Sequence, residues 1–279
     1  MSDGGLQSHF NSVRRKVAKW AHYIPIYESL LADYRGRPLT LVEVGVADGG
    51  SLEAWRSYLG PSARIIGIDI DGAATQLAAE GFEIIVGDQA DPEFWAQHLP
   101  RIGPIDILID DGGHSSVQQI VTVASAVPSV RDGGVIIVED THAAFMPKQY
   151  PEARGFGVMD FARHIADAMH ARNPLTAAVP RDAMGFGRAI HCVQLFESMI
   201  VFHVDRRLCA SSVLVEAGSA ESIAGPHERS TIASRAVAAF EAQPTALQSL
   251  LHPVRRLLGV GRRSIHRIEA ARRVRRYFR

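Results

Sequence analysis

The sequence contains little cysteine and no long apolar run, and these two features exclude several classes of protein. Its 279 residues include two cysteines, Cys192 and Cys209, which form no CxxC pair. Neither a disulfide framework nor a zinc site is therefore expected. No apolar stretch is long enough to cross a bilayer, and the N-terminal segment lacks the apolar core of a secretory signal. We expect a cytoplasmic protein.

The chain also lacks net charge, but this balance hides a basic tail. The formal net charge is +0, yet residues 252–279 carry ten arginines and a single acid, Glu269. Apolar residues interrupt the arginines at roughly helical spacing, which suits a basic helix on an acidic membrane or on nucleic acid. A helix packed on the acidic body of this protein, or of a partner subunit, explains the pattern too. We favour the acidic protein surface and do not expect nucleic acid to bind.

Short apolar runs alternate with helical patterns through the first half of the chain. Five such runs each end near Gly, Asp or Glu; they read LTLVEVGV, ARIIGIDI, FEIIVGD, IDILIDD and GGVIIVED. A helical segment follows each of the first four, and a loop rich in Pro and Gly is predicted after Asp140. This alternation predicts an α/β fold with a doubly wound, mainly parallel Rossmann-like sheet. Further along, AIHCVQLFESMIVFHV predicts two more strands joined by a tight turn near Glu197 and Ser198.

The flanking segments complete a predicted domain organisation. Residues 1–37 are expected to form an N-terminal helical cap, with helix over 6–35. Residues 38–205 are expected to form the main domain, which includes the amphipathic helix VMDFARHIADAMHA. Residues 206–279 are expected to form a helical extension that ends in the arginine-rich tail.

The ends of the first three strands predict a nucleotide-type site. Ligands of open parallel sheets bind beyond the carboxyl ends of the strands. The first strand ends in a glycine turn at Gly45, the second ends on Asp69, and the third ends on Asp88 and Gln89. An acid at the distance of Asp69 can accept hydrogen bonds from ribose hydroxyls. The turn is not GxGxxG and has Glu43 in the strand end, which favours S-adenosylmethionine over NAD.

The ends of the fourth and fifth strands predict a metal site. Asp110 and Asp111 end the fourth strand, and Glu139 and Asp140 end the fifth. If these strands are neighbours, four carboxylates meet at one edge and repel one another unless a cation is present. Carboxylate oxygens suit Mg²⁺ or Mn²⁺. Asp140 alone could equally be a plain helix N-cap.

Taken in order, these motifs resemble a known family. The sequence is similar to the metal-dependent class I sugar O-methyltransferases of the macrocin and mycinamicin type, and to the related rhamnosyl and mycobacterial methylmannose polysaccharide enzymes. The matching stretches are KWAHYIPIYESLL, LVEVGVADGGSLEAWRSYL, IIGIDID, VGDQAD, DILIDDGGH and GGVIIVEDTHAAF. The later helix VMDFARHIADAMH and the hairpin around LFESMIVF also fit, so the resemblance covers roughly residues 19–205.

The resemblance implies a function and a set of site residues. It implies an S-adenosylmethionine-dependent, Mg²⁺-dependent O-methyltransferase of a sugar hydroxyl, in a glycoside or a polysaccharide precursor, and a homo-oligomer. His114 is implied as the general base, which would take the acceptor proton. The implied metal ligands are Asp111, Glu139 and Asp140. The residues implied at the S-adenosylmethionine site are Tyr23, Glu43, Gly45, Ser51, Asp69, Asp88, Gln89 and Asp110.

Some positions depart from the family pattern or leave alternatives open. Gly113 stands where the family usually has serine, and the residues after Asp140 vary among relatives. His142 and Phe145 are therefore only candidates for the sugar pocket. The remaining alternatives are a phenol or lipid-linked acceptor, an oxidoreductase on the same sheet, and a non-catalytic binding protein with a basic interaction tail.

Overall fold

A computed structural model describes residues 4–150, 156–173 and 185–210 of the chain. One mixed sheet runs through this part, and its strands occur along the chain as β1 (Leu39–Val44), β2 (Ala63–Asp69), β3 (Glu83–Val86), β4 (Ile105–Asp110), β5 (Val130–Val138), β6 (Ile190–Phe196) and β7 (Met199–Val204). Their order across the sheet is β3-β2-β1-β4-β5-β7-β6. Strands β1 to β5 are parallel, whereas β7 is antiparallel to both β5 and β6.

Helices cover both faces of this sheet. The α-helices are α1 (Leu6–Asn11), α2 (Tyr23–Leu31), α3 (Gly50–Leu59), α4 (Pro92–Ile102), α5 (Ser116–Ala126) and α6 (Val158–His170). Local sequence determines where several helices begin. At the start of α4, the Asp91 side chain accepts the Glu93 N–H, and Pro92 occupies the first helical position, where proline is favoured. Ser115 and Gln118 form a reciprocal capping box at the start of α5.

Two apolar layers enclose the sheet. One contains Tyr27 and Trp55 from helices α2 and α3 against alternate residues of the strands. The other contains Trp95, Phe161 and Phe202 and lies on the opposite face. All six residues of β1 are buried, as expected for a central strand covered on both faces.

The structure confirms the doubly wound sheet predicted from the alternation. It also confirms that β4 and β5 are neighbours, with Asp110 paired to Val138, and that β6 and β7 form a hairpin that turns at Glu197 and Ser198. The predicted helical extension falls almost entirely on residues 211–279, outside the described part of the chain. No described helix is long and apolar enough to cross a membrane.

The predicted continuous helix over residues 6–35 is wrong. Helix α1 ends at Asn11, α2 begins at Tyr23, and the residues between them form no helix. The N–H groups of Arg14 and Arg15 donate to the Glu53 carboxylate of α3 rather than to carbonyls four residues back. Tertiary contacts thus override local helix propensity here. The helix predicted after β2 is a 3₁₀ helix, Gly72–Glu80, and the loop predicted after Asp140 begins with another, Thr141–Phe145.

Candidate active site

A cavity of about 770 Å³ lies beyond the carboxyl ends of the parallel strands. It is centred where the strand order reverses between β1 and β4, which is the binding position that open α/β sheets favour. Its volume suits a ligand of nucleoside size. Of the residues predicted from the sequence, Gly45, Asp69, Asp88, Gln89, Asp111, His114 and Asp140 line it.

The turn after β1 brings the backbone close to this cavity. Gly45 has a positive φ of 83°, and a side chain there would overlap the carbonyl of Asp111. Asp69 Oδ2 accepts hydrogen bonds from the N–H groups of Val46 (2.9 Å) and Ala47 (3.2 Å). Asp69 therefore shapes the glycine turn and faces the cavity with the same carboxylate.

Gln89 and Asp110 together hold the loop after β4. Gln89 Nε2 donates to Asp110 Oδ1 (2.9 Å) and to Thr122 Oγ1 (3.0 Å), and Gln89 Oε1 accepts the Gly113 N–H (2.9 Å). The amide of Gln89 is thus engaged by the protein rather than free to read an adenine edge. Asp110 is fully buried; burial raises its pKa, and its Oδ2 atom has no hydrogen-bond partner among the described residues.

Glu43 and Ser51 lie beneath the cavity rather than in its wall. Glu43 is fully buried, accepts a hydrogen bond from Ser51 Oγ (2.7 Å) and another from Trp55 Nε1 (3.3 Å). Burial raises the pKa of Glu43. The family resemblance implies that both residues line the cofactor site; in the structure they brace the end of β1 against α3. Tyr23 and Asp110, also predicted to contact the cofactor, likewise stand outside the cavity lining.

Asp111, His114 and Asp140 converge at the other end of the cavity. One potential ligand atom from each lies within 4.8 Å of the others. His114 Nε2 is 3.5 Å from Asp140 Oδ2, and its Nδ1 atom is buried without a hydrogen-bond partner among the described residues. Both His114 (φ 58°) and Asp140 (φ 53°) adopt the left-handed backbone conformation, which costs free energy in residues other than glycine. The two carboxylates suit a small hard cation such as Mg²⁺ or Mn²⁺.

Glu139, the third predicted metal ligand, is not part of this group. Its carboxylate is buried, lies 2.5 Å from Lys19 Nζ and accepts a hydrogen bond from the Tyr27 hydroxyl. Burial raises the pKa of Glu139, and the neighbouring ammonium of Lys19 opposes that shift. Its backbone carbonyl accepts a hydrogen bond from Gln119 Nε2 (2.8 Å). Lys19 therefore competes for a carboxylate that the sequence assigned to the metal.

The segment before α2 and the first residue of that helix contribute aromatic partners to Asp140. Trp20 Nε1 donates to Asp140 Oδ1 at 3.1 Å, and the Tyr23 hydroxyl lies 2.8 Å from the same oxygen. The Trp20 indole is 56% exposed and packs edge-to-face against His142, with ring centroids 6.2 Å apart. Sequence reasoning missed Trp20, because no local pattern connects residue 20 with residue 140.

The structure also accounts for glycine at position 113. A side chain at Gly113 would overlap the amide of Gln118. That amide accepts the Ser115 N–H as part of the α5 capping box. A larger residue at position 113 would therefore require the Gln118 side chain to move.

Among known proteins, this chain is similar in sequence to methyltransferases that act on sugars. No protein-family model matches the chain. The 2'-O-methyltransferase of 8-demethyl-8-α-L-rhamnosyl tetracenomycin C from Streptomyces olivaceus is 31% identical over 182 residues, covering 61% of this chain and 47% of the relative. The mycinamicin VI 2''-O-methyltransferase of Micromonospora griseorubida is 35% identical over 149 residues, covering 51% of this chain and 36% of the relative.

This chain is a homologue of sugar O-methyltransferases. The MycE methyltransferase of mycinamycin biosynthesis, solved with Mg and SAH, superposes with a TM-score of 0.60 at 28% identity, covering 72% of this chain and 54% of that one. A second MycE structure, which also contains mycinamycin VI, gives a TM-score of 0.59 at 27% identity, covering 72% and 53%. The resemblance seen in the sequence and the class I methyltransferase fold are both confirmed. The chain spans about half or less of the length of these relatives.

Proposed function

We propose that this chain transfers a methyl group from S-adenosylmethionine to a sugar hydroxyl, with the help of Mg²⁺ or Mn²⁺. The observation that carries the proposal is that one edge of the sheet holds both the cofactor-sized cavity and the Asp111–His114–Asp140 group. The named relatives that methylate sugars, and the MycE structures that contain Mg and SAH, support it.

The proposed cofactor contacts follow from the cavity lining. The Gly45 turn allows the ligand to approach the backbone, and Asp69 is placed to accept hydrogen bonds from ribose hydroxyls. Asp88 lines the adjoining wall, at the position expected for the base. The loop after β4, between cofactor and acceptor, is held by Gln89 and Asp110. Three further residues support the site without lining the cavity: Tyr23, Glu43 and Ser51.

The proposed chemistry divides between bound groups and protein side chains. S-adenosylmethionine supplies the methyl group, and the divalent ion supplies positive charge that orients a sugar hydroxyl and favours its deprotonation. Asp111 and Asp140 would hold the ion, with Glu139 behind them. His114 borders the cavity 3.5 Å from Asp140, and its imidazole would accept the proton of the attacking hydroxyl. The cavity wall would hold donor and acceptor close together, with S-adenosylhomocysteine as the leaving product.

Exposed aromatic side chains beside Asp140 support a sugar-bearing acceptor. The Trp20 indole packs next to His142. Phe145, which belongs to the same 3₁₀ helix as His142, is 73% exposed. Large exposed aromatic groups at a site edge provide apolar faces for a bulky glycoside. We assign His142 and Phe145, with Trp20, to the acceptor side of the site.

We propose a homo-oligomer in the cytoplasm, whose arginine-rich tail contacts an acidic protein surface. Deletion of residues 252–279, followed by measurement of oligomer size and liposome binding, tests this. A change in oligomer size would support the protein contact, and loss of liposome binding would favour the membrane instead.

An acceptor panel tests the proposed function. Methyl transfer from labelled S-adenosylmethionine should be measured with rhamnosides, mannosides and macrolide glycosides, and with catechol as a non-sugar control. We expect methylation of at least one glycoside at a single hydroxyl, which NMR of the product identifies. If catechol is the only acceptor that is methylated, the acceptor is a phenol and the proposed sugar acceptor is wrong. A thermal shift with NAD but none with S-adenosylhomocysteine would refute the methyltransferase.

A further inference from the structure

Lys19 places a buried ammonium in the middle of the carboxylate cluster. Its side chain is 3% exposed, and Nζ lies 2.6 Å from Asp111 Oδ2, 2.5 Å from Glu139 Oε1 and 3.7 Å from Glu43 Oε1. These three acids stand at the ends of β4, β5 and β1, so one side chain spans the central strands of the sheet. Burial alone lowers the pKa of Lys19, but the carboxylates of Glu139 and Asp111 raise it above its ordinary value.

The contacts of Lys19 overlap with those expected of a divalent ion. Asp111 and Glu139 are two of the three acids that the sequence assigned to the metal, and both carboxylates contact the ammonium. Asp140 has other partners: Tyr23, Trp20 and His114 surround it. The ammonium and a metal at the Asp111–Asp140 pair would therefore compensate the same negative charge through a shared carboxylate, Asp111.

We propose that Lys19 is an internal counter-ion that stabilises the carboxylate cluster in the metal-free protein and thereby weakens the binding of the divalent ion. This inference rests on the proposed metal site. A buried carboxylate without a cation destabilises the folded state. Lys19 therefore allows this edge of the sheet to fold without bound metal. Two cations that share Asp111 repel each other, so the lysine reduces metal affinity.

Substitution by methionine separates this role from simple structural support. Lys19→Met keeps the length and the apolar stem of the side chain but removes its charge. We expect metal-free Lys19→Met to unfold at a lower temperature than the wild type, because three carboxylates lose their partner. We expect it to bind Mn²⁺ about tenfold more tightly or better, measured by the EPR signal of free Mn²⁺. Saturating Mg²⁺ should then raise its Tm by ~3–6 °C more than it raises the wild-type Tm.

Lys16 offers a matched control on the same segment. It is exposed, so Lys16→Met should change neither Mn²⁺ affinity nor the Mg²⁺-induced shift in Tm. If Lys19→Met binds Mn²⁺ no more tightly than the wild type and Lys16→Met, the inference is overturned. A merely structural lysine would lower Tm by the same amount with and without Mg²⁺.

A second variant covers the case in which Lys19→Met does not fold. The double variant Lys19→Met/Glu139→Gln removes the ammonium together with one of its carboxylates. It should recover a large part of the metal-free Tm lost in Lys19→Met; failure to recover any would contradict the counter-ion role. Wild-type protein that binds no Mn²⁺ while Lys19→Met binds it would support the inference and refute metal dependence. Absence of Mn²⁺ binding in both would overturn both proposals.

Discussion

Tyr23 and Asp140 are joined by two hydrogen-bond contacts across the edge of the sheet. The Tyr23 hydroxyl lies 2.8 Å from Asp140 Oδ1 and accepts the Asp140 N–H at 3.1 Å. The second contact holds Asp140 in its left-handed backbone conformation, with a φ of 53°. The carboxylate assigned to the metal is thus oriented by a tyrosine from the N-terminal part of the chain.

Tyr23→Phe should therefore weaken metal binding while preserving the fold. Loss of a group that orients a ligand typically costs ~10–100-fold in metal affinity, and we expect a loss of that order for Mn²⁺. Tyr34→Phe is the control, because the Tyr34 hydroxyl bonds the carbonyl of Gly133, outside the site. Equal Mn²⁺ affinities in the two variants would show that Tyr23 does not position Asp140.

His114→Asn should nearly abolish methyl transfer and leave cofactor binding intact. Asparagine tolerates the left-handed backbone that His114 adopts, so the loop should keep its shape. Loss of a general base lowers kcat by ~10²–10⁴-fold, whereas calorimetric titration should give an unchanged Kd for S-adenosylhomocysteine. The neighbour His142, with Nδ1 3.9 Å from Asp140, is the comparison. His142→Asn should mainly raise KM for the acceptor, and a near wild-type kcat for His114→Asn would remove its assignment as base.

Gly45→Ala should destabilise the protein more than Gly36→Ala does. Both glycines have positive φ, 83° and 71°, so each substitution carries the ~1–2 kcal/mol cost of a left-handed alanine. Position 36 has open space around it, whereas the new methyl at position 45 would overlap the carbonyl of Asp111. Overpacking adds ~1–3 kcal/mol and should also weaken S-adenosylhomocysteine binding. Urea unfolding curves measure the difference, and equal stabilities would contradict the close approach.

Much of this site was predictable because its backbone positions follow from strand pattern. Each apolar run ends within two residues of a strand end, which is enough to predict that Asp69, Asp111 and Asp140 lie at one edge of the sheet. Parallel strands bring their carboxyl ends together, and this rule needs no side-chain detail. The same rule, with the alternation of strands and helices, predicts that β4 and β5 are adjacent, and the structure confirms this.

The supporting contacts were not predictable from local sequence. Lys19 lies 92 residues before Asp111 and 120 before Glu139 in the chain. The segment around it was predicted as helix, and a helix would have placed these side chains elsewhere. This segment is not helical, and the N–H groups of Arg14 and Arg15 donate to Glu53 of α3. Such long-range pairings leave no periodic signal.

Asp205 should contribute stability that disappears in acid. Hydrogen bonds from Arg207 lower the pKa of Asp205 to about 2. A carboxyl whose folded pKa lies below the unfolded value of ~3.9 stabilises the fold above that value and loses its effect as pH falls toward 2. Asp205→Asn should thus lower Tm at pH 7, and its Tm should approach that of the wild type between pH 4 and 2. The exposed Asp33→Asn is the control; a pH-independent deficit in Asp205→Asn would refute this.

Metal-dependent methyl transfer to a glycoside is the central claim, and chelation tests it most directly. Transfer of labelled methyl from S-adenosylmethionine to a rhamnoside or macrolide glycoside should be measured before and after exhaustive EDTA treatment, and again after Mg²⁺ is added back. We predict that activity is lost with EDTA and returns with Mg²⁺, because Asp111 and Asp140 then hold the ion beside His114. Full activity in the chelated protein would contradict the account.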